Sequence, residues 1–125
     1  MRTIRSGALT LLGSVALLSA SLAMAAAPLK VTKVQVDAPV SHTYQCEGGK
    51  SLQVTYWNSR SGQSFALLPV DGKPLLFVNT MAASGVKYMA DRYTWWTKGN
   101  NGDLYDMTAG PDAKPILAGC AAATK

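Results

Sequence analysis

Two short stretches of this 125-residue sequence set a reactive-looking side chain on a glycine-hinged turn: Ser84-Gly85-Val86-Lys87-Tyr88 and Trp96-Thr97-Lys98-Gly99. Neither is equipped for covalent chemistry. A serine nucleophile needs a base within hydrogen-bond reach, and the sequence has one histidine, His42, which reads as the start of a strand. One histidine also cannot build a His-rich metal site, and the two cysteines, Cys46 and Cys120, are expected to pair with each other. The seven acids sit mostly in turns or beside glycine, with no spacing that suggests a paired acid and base. No enzyme, metal or cofactor is therefore expected. What Ser84 and Lys98 can do is make contact, one through a hydroxyl and the other through a compact charge. Taken locally, the same residues fit a plainer role: Gly85 at positive φ in a turn, Ser84 bonded to nearby backbone, and Lys98 as a solvated charge blunting a strand end.

The context of these turns is an exported domain. Arg2 and Arg5 precede the apolar run "ALTLLGSVALLSASLAMA", which ends in the small-residue pattern Ala23-Met24-Ala25. This predicts a cleaved signal peptide over residues 1–25, with Ala27 as the alternative cleavage point. Gly13, Ser14, Ser19 and Ser21 interrupt the run, and no cysteine stands at the junction, so neither a membrane anchor nor a lipid anchor is expected. In an oxidising compartment Cys46 and Cys120 read as one disulfide rather than two free thiols. A loop of that length is worth about 4 kcal/mol in the chain-entropy model. Losing Arg2 and Arg5 leaves ten basic residues against seven acidic ones, a formal +3. The basic residues are scattered singly, unlike the patch that nucleic acid demands, so no nucleic-acid partner is expected.

Residues 26–41 carry prolines at both ends and are expected to be a linker with at most an edge strand. From residue 42 to 120 the chain is a series of short segments rich in Val, Tyr, Trp, Phe, Leu and Thr, cut by Gly, Pro, Asn and Asp. "SLQVTYWN" sets Leu52, Val54 and Tyr56 against Gln53, Thr55 and Trp57, the period of a strand with one buried face. "QSFALLPV" and "KPLLFVNT" flank Asp71-Gly72, a strong hairpin signal. "VKYMA", "RYTWWTK", "DLYDM" and "KPILAGC" follow, the third after a Gly-Asn-Asn-Gly turn, and residues 121–125 are expected to be an unstructured tail. Short strands without crossover helices predict an all-β fold, a small closed antiparallel barrel or a sandwich.

Tyr44-Gln45-Cys46-Glu47-Gly48-Gly49, Leu52-Gln53-Val54-Thr55-Tyr56, Ala83-Ser84-Gly85-Val86-Lys87-Tyr88, Tyr93, Trp96-Thr97-Lys98-Gly99, Leu104-Tyr105 and Cys120 together carry a resemblance. In that order they are similar to the periplasmic and membrane-bound inhibitors of chicken-type (c-type) lysozyme, the MliC/PliC family. The resemblance implies an eight-stranded antiparallel barrel closed by one disulfide, with two adjacent loops that enter the lysozyme cleft. It makes Ser84 and Lys98 the inserted residues, and Gly85, Tyr88, Thr97 and Gly99 the residues that shape their loops. It implies c-type lysozyme as the partner; the family's anchored branch carries a lipidated cysteine that this sequence lacks, so a periplasmic protein of the soluble branch is expected, as a monomer or weak dimer. Ala82 stands where the family often has a second small hydroxyl, so one accessory hydrogen bond is expected to be missing. Net charge does not help such a partnership, because c-type lysozymes are usually basic too. The rival reading is a periplasmic module that binds a small apolar ligand inside or at the mouth of its barrel, and its discriminator is a cavity.

Overall fold

The computed structural model describes residues 25–123, together with Gly7 and Gly13. The expected signal peptide and the last two residues of the expected tail therefore lie largely outside the described residues. Within the unit that begins at Val31, eight strands follow one another: β1 (Val40–Gln45), β2 (Ser51–Asn58), β3 (Ser64–Val70), β4 (Lys73–Thr80), β5 (Val86–Ala90), β6 (Tyr93–Lys98), β7 (Asn101–Asp106) and β8 (Leu117–Ala122). Each pairs antiparallel with the next, and β1 pairs with β8 to close the barrel.

Turn chemistry sets the registers. Asp71 and Gly72 both take positive φ, at 49° and 74°, as a two-residue hairpin of the primed type needs. Asp91 does the same at 51° between β5 and β6, a conformation that Asp tolerates better than most residues. The β3–β4 hairpin runs past its neighbours: β2 pairs with β3 only up to Leu67, and β5 with β4 only from Val78 to Thr80. Pro69 and Pro74 face each other on that projecting part, where a missing N–H costs no ladder bond and blunts an open edge.

Alternation then fills the interior. Val54, Leu68, Phe77, Trp95 and Leu104 are fully buried, so the barrel is packed with side chains, the condition under which a reading as an apolar-ligand carrier fails. Gly102 makes room for the largest of them: a Cβ there would stand 2.4 Å from Trp95 Cζ2. Cys46 and Cys120 form the expected disulfide.

Three boundaries differ from the sequence reading. β1 starts at Val40, because Val40 and Ser41 pair with Tyr56 and Thr55 of the longer β2. β7 starts at Asn101, so the turn before it is Gly99-Asn100 alone, with Lys98 opposite Asn101. β8 is displaced along the chain: it begins at Leu117, past Pro115, and takes in Ala121 and Ala122 of the expected tail. Those two residues lie opposite Gln45 and Tyr44, and Ala122 N–H donates to the Asn100 carbonyl. Small, featureless alanines are ordered here because backbone pairing, not side-chain burial, closes the barrel.

Candidate partner-binding loops

β5 and β6 form a hairpin whose open end carries both stretches singled out above. Val86 stands opposite Thr97 and Lys87 opposite Trp96. The chain that enters β5 through Ser84 and Gly85 therefore lies beside the chain that leaves β6 through Lys98 and Gly99. Both Ser84 and Lys98 are exposed.

Three contacts tie the loops together. Trp96 Nε1–H donates to the Ser84 carbonyl at 2.9 Å. The Thr97 hydroxyl donates to the Val86 carbonyl at a longer 3.4 Å. Gly85, at φ 64°, packs so closely that a Cβ on it would meet the Thr97 carbonyl oxygen at 2.2 Å and Lys98 Cγ at 2.8 Å. Glycine is required there twice over, for its dihedral angle and for the space. Gly99, at φ 56°, occupies the first position of the two-residue turn to β7, where the reversal again needs positive φ.

The lysine does not hang free. Lys98 Nζ stands 4.2 Å from the centre of the Trp96 ring, and Lys87 Nζ stands 4.1 Å from the same ring. Each contact is an attraction between a cation and the negative face of the indole, worth about 0.5–1 kcal/mol at an exposed site. Trp96 thus braces the Ser84 loop through its N–H and steadies two ammonium groups through its ring. Trp95, its neighbour, points the other way into the barrel, and Tyr88, opposite Trp95, is buried with it. The sequence-predicted loop residues are thereby brought together, except that Tyr88 supports from inside rather than lying on the surface.

Sequence reasoning set Trp96 at the barrel rim, holding Lys98 out, but missed Lys87 as a member of the site. Trp96 was legible, since a residue two positions before Lys98 shares its face of the strand. Lys87 was not, because its place beside Trp96 depends on the β5–β6 register.

A small closed barrel, stapled by one disulfide, thus presents a serine and a lysine on two cross-braced loops. Residues 44–113 match the family model described as membrane-bound lysozyme-inhibitor of c-type lysozyme, and the chain belongs to that family. A curated relative from Cupriavidus necator, named membrane-bound lysozyme inhibitor of C-type lysozyme, is 51% identical over 79 residues, which cover 63% of this chain and 62% of that protein. The match thus spans less than two thirds of the relative's length. Among solved structures, Pseudomonas aeruginosa MliC in complex with hen egg white lysozyme is similar at a TM-score of 0.60 and 32% identity, over 81% of this chain and 98% of that one. PliC of Salmonella typhimurium, a periplasmic lysozyme inhibitor of C-type lysozyme, is similar at a TM-score of 0.60 and 27% identity, over 70% of this chain and all of the other.

Proposed function

We propose that this protein inhibits c-type lysozyme by seating the Ser84 and Lys98 loops in the enzyme's active-site cleft. The observation that carries the reading is the cross-bracing of the two loops: Trp96 and Gly85 hold an exposed hydroxyl and an exposed ammonium side by side on a rigid hairpin end. Lysozyme works through two carboxyl groups, a proton donor in an apolar pocket and an ionised partner. An ammonium placed between them neutralises the charge that stabilises the sugar cation, and the loop excludes the polysaccharide by bulk. No chemistry by the inhibitor is needed. Preorganised loops lose little conformational entropy on binding, and that favours affinity.

Gly85, Thr97 and Gly99 act by shaping the loops, and Tyr88 by supporting them from the core. The protein is proposed to work in the periplasm as a monomer or weak dimer, exported by the leader at residues 1–25 and free of a lipid anchor. Both cysteines of the sequence are committed to the disulfide, which leaves no thiol for lipidation. The C. necator relative is named membrane-bound, so fractionation of the producing cell tests this part directly: release with the periplasmic fraction supports it, and retention in the membrane refutes it.

The function itself is tested by titrating the purified protein into c-type lysozyme acting on a bacterial cell-wall suspension, with goose-type and invertebrate-type lysozymes in parallel. Near-stoichiometric loss of the c-type activity alone is expected. Full activity in the presence of folded, disulfide-bonded protein refutes the reading.

A further inference from the structure

The mouth of the barrel opens into a cavity of about 250 Å³. Tyr44, Tyr56 and Tyr88, from three different strands, line it, and His42, Asn58, Thr97 and Asn100 complete its polar wall. Neither Ser84 nor Lys98 contributes to it.

The phenol hydrogens of this cluster outnumber the hydrogen bonds they make. Tyr56 Oη accepts the Trp95 Nε1–H at 2.8 Å, and it lies 2.8 Å from Tyr44 Oη, a contact that uses one hydrogen. Two phenols bring two hydrogens, so one of them has no acceptor among the described residues, whichever phenol donates in the shared contact. Tyr88 adds another: it is 6% exposed, and among the described residues its hydroxyl makes no hydrogen bond. Burial raises the pKa of all three phenols above the ordinary value, so each keeps its hydrogen at neutral pH. Among the described residues Thr94 Oγ1 is the one enclosed side-chain atom without a partner; the Tyr88 hydroxyl is not enclosed, and its open side is the cavity.

The lining also selects the kind of partner. Among the described residues no Lys, Arg, Asp or Glu side chain borders the cavity, and its wall offers the imidazole of His42 beside the phenols and amides, so an anion or cation entering it would be desolvated without a carboxylate, ammonium or guanidinium to pair with. Asn58, Thr97 and Asn100 each carry side chains that both donate and accept. The volume is below the range of about 300–1,000 Å³ that drug-sized ligands occupy. We propose that the barrel mouth is a binding site for one neutral sugar ring, held through its hydroxyl oxygens by the uncommitted hydrogens of the Tyr44–Tyr56 pair and of Tyr88. The site stands independently of lysozyme inhibition, although Thr97 and Asn100 place it next to the Lys98 turn.

The test is an NMR titration of the folded protein with glucose and N-acetylglucosamine, with glucuronate as the charged comparator. Saturable shifts at Tyr88, Thr97 and Asn100 with the neutral sugars are expected. Tyr88→Phe should weaken binding by about 2- to 12-fold, as loss of one neutral hydrogen bond implies. Asn58→Ala, on the rim and exposed, gives the same readout if a tyrosine variant fails to fold. Maltotriose saturating the same residues identifies a glycan end as the ligand, and its exclusion identifies a free sugar; either supports the site. No saturable shift by about 100 mM sugar, far weaker than a millimolar site, overturns it. So does a preference for glucuronate, or unchanged binding in Tyr88→Phe.

Discussion

Replacing Gly85 by alanine isolates the geometry of the loops from their chemistry, since it alters neither Ser84 nor Lys98. The added Cβ would stand 2.2 Å from the Thr97 carbonyl oxygen and 2.8 Å from Lys98 Cγ. Relieving the first contact requires the Ser84 loop to withdraw by about 1 Å, since carbon contacts become favourable only at roughly 3.5 Å and beyond. The backbone is also strained, because φ is 64° and a left-handed conformation costs a residue with a Cβ about 1–2 kcal/mol. In a domain of this size that corresponds to a fall in Tm of roughly 4–16 °C. The protein stays folded at 25 °C, yet a misplacement of about 1 Å at a preorganised site can cost on the order of 100-fold. Inhibition of cell-wall lysis by Gly85→Ala should therefore weaken by roughly that factor, while circular dichroism and the disulfide are unchanged. Inhibition at the unaltered strength would refute the argument that the fixed spacing of Ser84 and Lys98 determines binding.

Four further outcomes follow from the same contacts. Lys98→Ala should weaken inhibition more than Ser84→Ala, because truncating one partner of a buried charge pair costs about 2–5 kcal/mol and a hydroxyl bond to a charged group about 1.5–3 kcal/mol; equal inhibition constants for both variants and the parent would remove these residues from the site. Trp96→Leu, which deletes both the bond to Ser84 and the ring beneath Lys98, should lose about 3- to 50-fold in inhibition with little change in Tm, and titration of lysozyme activity checks it. Gly102→Ala should do the reverse, destabilising by about 1–3 kcal/mol through overlap with Trp95; a denaturant midpoint equal to that of the parent would show that the core can shift. Finally, Tyr44, Tyr56 and Tyr88 have folded-state pKa values raised by burial from an ordinary value of 10.0. The unfolded chain therefore loses protons first, so the stability they contribute is intact below about pH 10 and declines as pH rises above it. Tm measured from pH 8 to 11.5 should be flat and then fall, and a level profile would contradict the buried cluster.

Much of this protein was settled by local chemistry that can be read along the chain. The alternation around Leu52 and Val54, the Asp71-Gly72 reversal and the two cysteines point to short antiparallel strands with one disulfide, and the order of motifs around Ser84 and Lys98 identifies the family. Those features are legible because period, turn type and cysteine pairing depend on residues close in sequence or few in number. Tertiary structure decided the rest. Ala121 and Ala122 carry no signal of a strand, yet they close the barrel because β1 has backbone groups left to pair. Lys87 becomes a neighbour of Lys98 only through the β5–β6 register that sets it across from Trp96. The tyrosine cluster at the mouth joins residues from three strands, 12 residues apart between Tyr44 and Tyr56 and 39 between Tyr56 and Trp95. Its uncommitted hydrogens exist only when the barrel is closed, since a hydrogen-bond balance is a property of a packed volume and not of a chain.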